Sequence, residues 1–233
     1  MEKALLVRRM VVGAMMLLLV AGVRAEELEY RYELGAMVGG SSYYGDANYS
    51  SPFNNVNIMG GAIWRYNINP RMAVKSNLSV ARISGSTVGG ENSFPGGDTD
   101  FSRTLLELGA QYELHFFAYG NGEGYKGTRR LAPYIFAGAG VVYAPAPAKH
   151  VVTASIPLGV GLKFKVAPRL NLGCEISYRF TFSDNLDVVN EGQLSLNDPY
   201  GIESGFMKNK DSYSFLSFSL TYDLSPKYRK CNN

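Results

Sequence analysis

The stretch Val152–Phe182, VTASIPLGVGLKFKVAPRLNLGCEISYRFTF, alternates apolar and polar residues with a period of two. Ala154, Ile156, Leu158, Val160, Leu162, Phe164 and Val166 fall on one side; Thr153, Ser155, Pro157, Gly159, Gly161, Lys163 and Lys165 fall on the other. After an Ala167-Pro168-Arg169 corner the pattern resumes, with Leu170, Leu172, Cys174, Ile176, Tyr178, Phe180 and Phe182 against Asn171, Gly173, Glu175, Ser177, Arg179 and Thr181. Successive strand side chains point to opposite faces, so this is a two-strand hairpin with one greasy face and one polar face.

The same period recurs along the chain. It predicts strands over 30–39, 58–68, 72–81, 103–116, 133–143 and 216–224 besides the two of the hairpin. Tight turns are expected at Asn69-Pro70-Arg71 and at the Ala167 corner. Ser41–Asn57, Gly85–Asp100 and Ser183–Lys210 read as long loops, Ala118–Arg130 as a polar connection and 144–151 as a short link. Helical periodicity is not seen after the first 25 residues. The expectation is an all-β chain: an eight-stranded antiparallel up-and-down barrel.

Such a barrel either buries its apolar face, as a soluble barrel does, or turns it to lipid. Three features favour lipid. The polar face is rich in glycine (Gly35, Gly39, Gly61, Gly109, Gly138, Gly140, Gly159, Gly161, Gly173), which water does not require but a narrow lumen holding long side chains does. Aromatics gather at apolar-face strand ends: Tyr30, Tyr32, Trp64, Tyr66, Phe116, Tyr143, Phe164, Phe180, Phe182 and Tyr222, as in a membrane-interface girdle. Connections alternate between short and long, as in outer-membrane barrels with short periplasmic turns. The reading is therefore a transmembrane β-barrel of OmpA/OmpX size, with outer-membrane lipid around it and both termini periplasmic.

Residues 1–25 have a basic start, an apolar run from Met10 to Val23 and a Val-Arg-Ala end. They read as a cleaved signal peptide, leaving 26–224 as the barrel and 225–233 as a periplasmic tail. Lys3, Arg8, Arg9 and Arg24 against Glu2 account for the whole net charge of +3. With the leader gone the chain is neutral, and nucleic acid is not an expected partner. Cys174, on the apolar side of a strand, reads as a buried small hydrophobe and Cys231 as a free thiol, not as a disulfide pair.

The inward charges are Arg31, Glu33, Arg65, Lys75, Glu107, Glu113, Lys163, Lys165, Glu175 and Arg179. Both signs are interspersed, as a lumen plugged by ion pairs demands, because an unpaired buried charge is costly. Pro157 cannot donate a ladder hydrogen bond, so a local bulge is expected there. The only histidines are His115, inward beside Glu113, and His150, in an outer link near Ser155. Neither spacing carries a catalytic signature, and Gly96-Gly97-Asp98-Thr99-Asp100 lacks calcium-loop spacing. Catalytic, metal and cofactor sites are not expected.

Five segments carry a family resemblance: LGAMVGGSSYYGD at 34–46, WRYNINPRMAVKSNLSVARISG at 64–85, LAPYIFAGAGVVYAP at 131–145, the run from Ile156 to Val189, and the last strand. Together they resemble the PorG-type outer-membrane barrels of Bacteroidetes. That resemblance implies a non-enzymatic component of the type IX secretion system that contacts the periplasmic ring of PorK and PorN. The contact would fall on the periplasmic rim: Asn69, Arg71, Lys126, Arg129, Arg130, Arg169, Lys227, Arg229 and Lys230. The alternative is a surface adhesion or ligand-binding barrel working through the long outer loops.

Overall fold

The computed structural model describes residues 30–44, 56–86, 100–122, 127–145, 150–183 and 211–226. They form eight strands: β1 (Tyr30–Tyr44), β2 (Asn57–Asn69), β3 (Met72–Ser86), β4 (Asp100–His115), β5 (Leu131–Ala144), β6 (Val151–Ala167), β7 (Leu170–Thr181) and β8 (Ser212–Pro226). Each strand pairs antiparallel with the next, and β1 pairs with β8, closing the barrel. The closing seam runs from Tyr30↔Pro226 to Tyr44↔Ser212, so no open edge remains at the junction.

Every predicted strand is present, and several are longer than the alternation alone implied. β1 continues through Ser41–Tyr44, β4 begins at Asp100, β8 begins at Ser212, and β8 ends at Pro226, beyond residue 224. In these extensions serines stand among inward aromatics, Tyr43, Tyr213 and Phe215, which blurs the apolar period without breaking the ladder. The barrel thus has a turn end, with the β2–β3, β4–β5 and β6–β7 connections and both ends of the described chain, and a loop end.

The faces settle which solvent the barrel lives in. Outward positions hold Val38 (63% exposed), Ile58 (80%) and Leu108 (62%), with Leu78, Val160, Ile176 and Phe218 continuing the same belt. Inward positions hold buried Glu33, Arg65, Lys75, Glu113, Lys163 and Glu175. In water this arrangement would expose far more contiguous apolar surface than the few hundred Å² that soluble proteins tolerate. It is the inverted packing of a transmembrane β-barrel. With 12 to 17 residues apiece, the strands exceed the ~9–11 that cross the hydrocarbon. Their ends therefore project into the interfaces. Two aromatic groups mark those levels: Tyr32 packs on Trp64 (6.2 Å) and Tyr66 (5.4 Å) near the turn end, and Tyr178 packs on Phe180 (4.7 Å) and Tyr44 (5.5 Å) near the loop end.

Glycine on the inner face has two physical reasons. At Gly161, a Cβ would stand 2.6 Å from the Tyr134 hydroxyl, so the absence of a side chain admits the ring from the neighbouring strand. At Gly35 a Cβ would meet the β8 backbone, with Thr221 Cα 2.6 Å away; here the missing atom permits sharp coiling of the sheet rather than space for a long side chain.

Two expectations are corrected. Pro157 causes no bulge: the β6–β7 register passes through Pro157↔Arg179 unchanged, and the β5–β6 register is the same on either side of it. The β5–β6 ladder instead lapses between Ala137↔Leu158 and Gly140↔Ser155, where proline has no N–H to give. The register shifts lie at the turns, between Asn67 and Asn69 and between Lys165 and Ala167. Cys174 is half-exposed on the lipid face rather than buried, because its outward row has no second layer to cover it. Cys231 lies outside the described residues.

Candidate functional site

Near the turn end, the interior is crossed by a charge network drawn from six strands. Arg65 on β2 is its hub. Its Nε and Nη2 donate to Glu113 at 2.8 and 3.1 Å, and its Nη1 donates to Glu33 at 2.7 Å. Lys163 completes the pairing of Glu33, while Lys75 pairs with Glu175. Tyr134 donates to Glu175 at 2.6 Å, and Asn67 and Thr221 donate to Glu33 at 2.8 and 3.2 Å. Three cations meet three carboxylates here, so the cluster is neutral. A second cluster lies toward the loop end: Arg179 Nε donates to Glu107 at 3.0 Å, Tyr213 donates to the same carboxylate at 2.6 Å, and the guanidinium stacks 3.9 Å from the Phe215 ring centroid. A third, at the turn-end mouth, joins Lys165 to Asp223 at 2.6 Å, with Asn171 donating to Asp223 at 2.7 Å.

Beyond the second cluster the loop-end interior turns apolar. Tyr43, Ile83, Leu105, Val142, Val151, Tyr213 and Phe215 pack together inside the barrel. Polar groups persist at this end too: Arg103 donates to the Ala144 carbonyl at 2.5 Å and the Tyr43 hydroxyl to Asp211.

The β4–β5 connection folds back over the turn-end mouth. Tyr119 N–H donates to Pro70 O at 2.8 Å, and a parallel bridge ties Tyr119 to Arg129. The Tyr119 ring enters the mouth, its hydroxyl donating to Asn171 at 2.6 Å, with Lys163 Nζ 4.3 Å and Lys165 Nζ 5.2 Å from its centroid. Burial, with the Glu33 and Asp223 carboxylates nearby, pushes the Tyr119 phenol well above its ordinary value, so it remains a donor. His115 stacks under Tyr119 at 6.0 Å and lies 3.9 Å from Glu113.

Of the ten residues expected to line the lumen, nine occupy these buried ion pairs. Arg31 does not: it is exposed at the turn-end extremity of β1, where the barrel interior has given way to solvent. Asp223 and the tyrosines at 119, 134 and 213 belong to the interior and were not singled out by the sequence. The parity of β5 and β8 places Tyr134, Tyr213 and Asp223 inward; nothing local marks Tyr119. His150 is exposed and stacks on Tyr143 at 6.3 Å, whereas Ser155 is buried in the lumen, so the two do not form a nucleophile–base pair.

The rim residues fall together at the turn end. Arg71, Arg129, Arg130 and Arg169 are exposed there. Asn69 holds the β2–β3 turn by accepting the Arg71 N–H at 2.8 Å. Arg129 stacks over Phe117 at 4.3 Å; Arg169 lies 5.6 Å from the Tyr30 ring and donates to the Tyr222 hydroxyl at 3.4 Å. Lys126, Lys227, Arg229 and Lys230 lie outside the described residues, as do residues 1–25, expected to be a signal peptide, and the Gly96–Thr99 stretch.

A closed, lipid-facing barrel with a filled lumen defines the class: a small transmembrane β-barrel. A family model matches residues 8–233, and the chain belongs to that family, a domain of unknown function (DUF6089). No curated protein matches it. Among solved structures it is similar to Neisserial surface protein A (NspA), at 14% identity and a TM-score of 0.46, covering 83% of this chain and 97% of that one. It is also similar to the attachment invasion locus protein Ail of Yersinia pestis, at 14% and 0.47, covering 84% and 100%. A third is the N-terminal β-barrel domain of Pseudomonas aeruginosa OprF, at 11% and 0.42, covering 82% and 97%.

Proposed function

We propose that the protein is a non-enzymatic anchor in the outer membrane, with its turn end in the periplasm, and that this end docks the periplasmic ring of a type IX secretion system in the manner of the PorG-type barrels it resembles. The observation that supports an anchor over a pore is the cross-braced lumen. Arg65, Lys75 and Lys163 are each tied to a carboxylate on another strand, and Tyr119 covers the mouth. A barrel filled in this way acts through its ends. The turn end presents Arg71, Arg129, Arg130 and Arg169 in a shared rim, suited to an acidic protein surface.

Photocrosslinking residues placed at Arg71 and Arg169 in intact cells test the docking. Adducts with periplasmic ring subunits are expected, together with lost secretion in an Arg71→Glu/Arg169→Glu double variant that still assembles in the outer membrane. Adducts with lipid alone and undiminished secretion would sink the reading. If, in addition, shortening the 184–210 segment abolishes attachment to surfaces, the adhesion function takes its place.

A further inference from the structure

Between the two charged clusters, a row across the lumen wall begins at Asn77, whose polar atoms find no protein partner. By register the row runs Asn77 (β3), Gly109 (β4), Gly140 (β5), Ser155 (β6). The two glycines make a floor. Asn77 Oδ1 lies 2.9 Å from where a Cβ on Gly109 would stand, and Ser155 Oγ lies 2.8 Å from the same point on Gly140. Ser79 and Gln111 flank Asn77, one on its own strand and one diagonally across on β4. All four polar residues are at most 2% exposed. Even so, both carboxamide atoms of Asn77, the Ser79 hydroxyl and Gln111 Oε1 have no hydrogen bond. Glu107 Oε1 lies 3.4 Å from the Gly109 position, but that carboxylate is already held by Arg179 and Tyr213.

Buried polar groups in folded proteins are satisfied by protein or by ordered water, and four orphan atoms on three successive inward levels of β3 and β4 are far outside that norm. The geometry points to a permanent cluster of bound water against Gly109, hydrogen-bonded to Asn77, Ser79 and Gln111. Water fits better than a metal cation because the site offers an orphan donor, Asn77 Nδ2, beside orphan acceptors, and an amphoteric ligand serves both. It fits better than an apolar guest because each lining side chain demands a hydrogen bond. Gly109 then has a role in the interior distinct from admitting aromatic rings: it lets the Asn77 carboxamide, whose Oδ1 a Cβ there would meet at 2.9 Å, lie against the β4 backbone. The cluster bridges the Arg65–Lys75 network and the Glu107–Arg179 pair, making the middle of the barrel a hydrated seam between two ion-paired layers.

The test is water-to-amide magnetisation transfer on the refolded full-length barrel in micelles, at a pH where side-chain amide protons exchange slowly. Cross-relaxation from water to the Asn77 and Gln111 NH₂ groups is expected, with the sign of water that tumbles with the protein. In Gly109→Ala, whose new methyl intrudes on the floor, those cross-peaks should vanish. Ser79→Ala, a smaller change, should weaken them while heat-modifiable migration remains normal. Absence of cross-peaks at both amides of the unaltered barrel overturns the proposal. So do Asn77 and Gln111 shifts that respond to exchanging sodium for a bulky organic cation, which would assign the site to a metal ion.

Discussion

Arg65 shows what a single residue does in a lumen this narrow. Its guanidinium spans from Glu33 to Glu113 with both carboxylates buried. Removing it leaves Glu113 with only Lys75, 3.8 Å away, and Glu33 with Lys163, and breaking such a buried pair typically costs about 3–5 kcal/mol. Arg65→Met is therefore expected to lower the urea midpoint of the micelle-folded barrel by an amount equivalent to that loss. Removing both partners of a pair should be milder, since replacing two opposed buried charges with apolar groups is often near neutral. Lys165→Met/Asp223→Leu, measured the same way, should lose less than Lys165→Met alone. The inward position of Arg65, Lys75 and Glu175 is legible from parity in the sequence. Which charge meets which is not: Lys75 and Glu175 are 100 residues apart and meet across the lumen. Such encounters depend on strand tilt and stagger, which alternation does not encode. Arg31 failed for a related reason: parity gives a face, but not whether that level of the strand lies within the barrel or beyond its mouth.

Among the elements, the β4–β5 connection departs furthest from its sequence. A polar stretch with glycines reads as a solvated turn, and it is one in backbone character: Gly122 and Gly127 take the positive φ values of 79° and 63° that favour glycine. Yet it carries Tyr119 into the barrel mouth, held by Asn171, Lys163 and Lys165. A lone aromatic in a polar loop gives no period from which such an inward turn could be inferred. Tyr119→Ala is expected to uncover the mouth while leaving the strands intact. Labelling of Lys163 and Lys165 by a water-soluble amine reagent, followed by mass spectrometry, should rise relative to the unaltered protein. Equal labelling would show that the ring is not the seal. Conduction in planar bilayers should stay negligible in this variant, because the Arg65 network lies behind the mouth. The β5–β6 pair makes a different prediction. Gly161→Val drives a branched side chain into the Tyr134 ring and should destabilise the barrel by about 1–3 kcal/mol, as overpacking does. Pairing it with Tyr134→Ala should relieve the clash but not restore the hydrogen bond to Glu175.

For the molecule as a whole, the strand period, the eight-strand count and the inside-out distribution of polarity were all present in the sequence, because each repeats along the chain and each is local. Depth is the remaining test of the lipid reading. Leu108 sits midway along β4 and is 62% exposed, whereas Leu224 lies near the end of β8. Arginine at the midplane of a barrel's lipid face costs about 2–4 kcal/mol, falling to about 0–1 near the interface. Leu108→Arg should therefore destabilise folding into lipid vesicles markedly and Leu224→Arg little; equal effects would argue against a bilayer around this belt. The way the ion pairs are shared among strands also constrains how the barrel can form. Glu33 on β1 is met by Lys163 on β6 and Thr221 on β8, Lys75 on β3 by Glu175 on β7, and Glu107 on β4 by Arg179 on β7. No single hairpin contains these partners. Arg65 would meet Glu33 within the β1–β2 hairpin, but a strand-by-strand entry into lipid would carry Lys75, Glu107 and Arg179 in without their partners, so the barrel must gather its early and late strands before its interior leaves water, and membrane insertion and closure become one event.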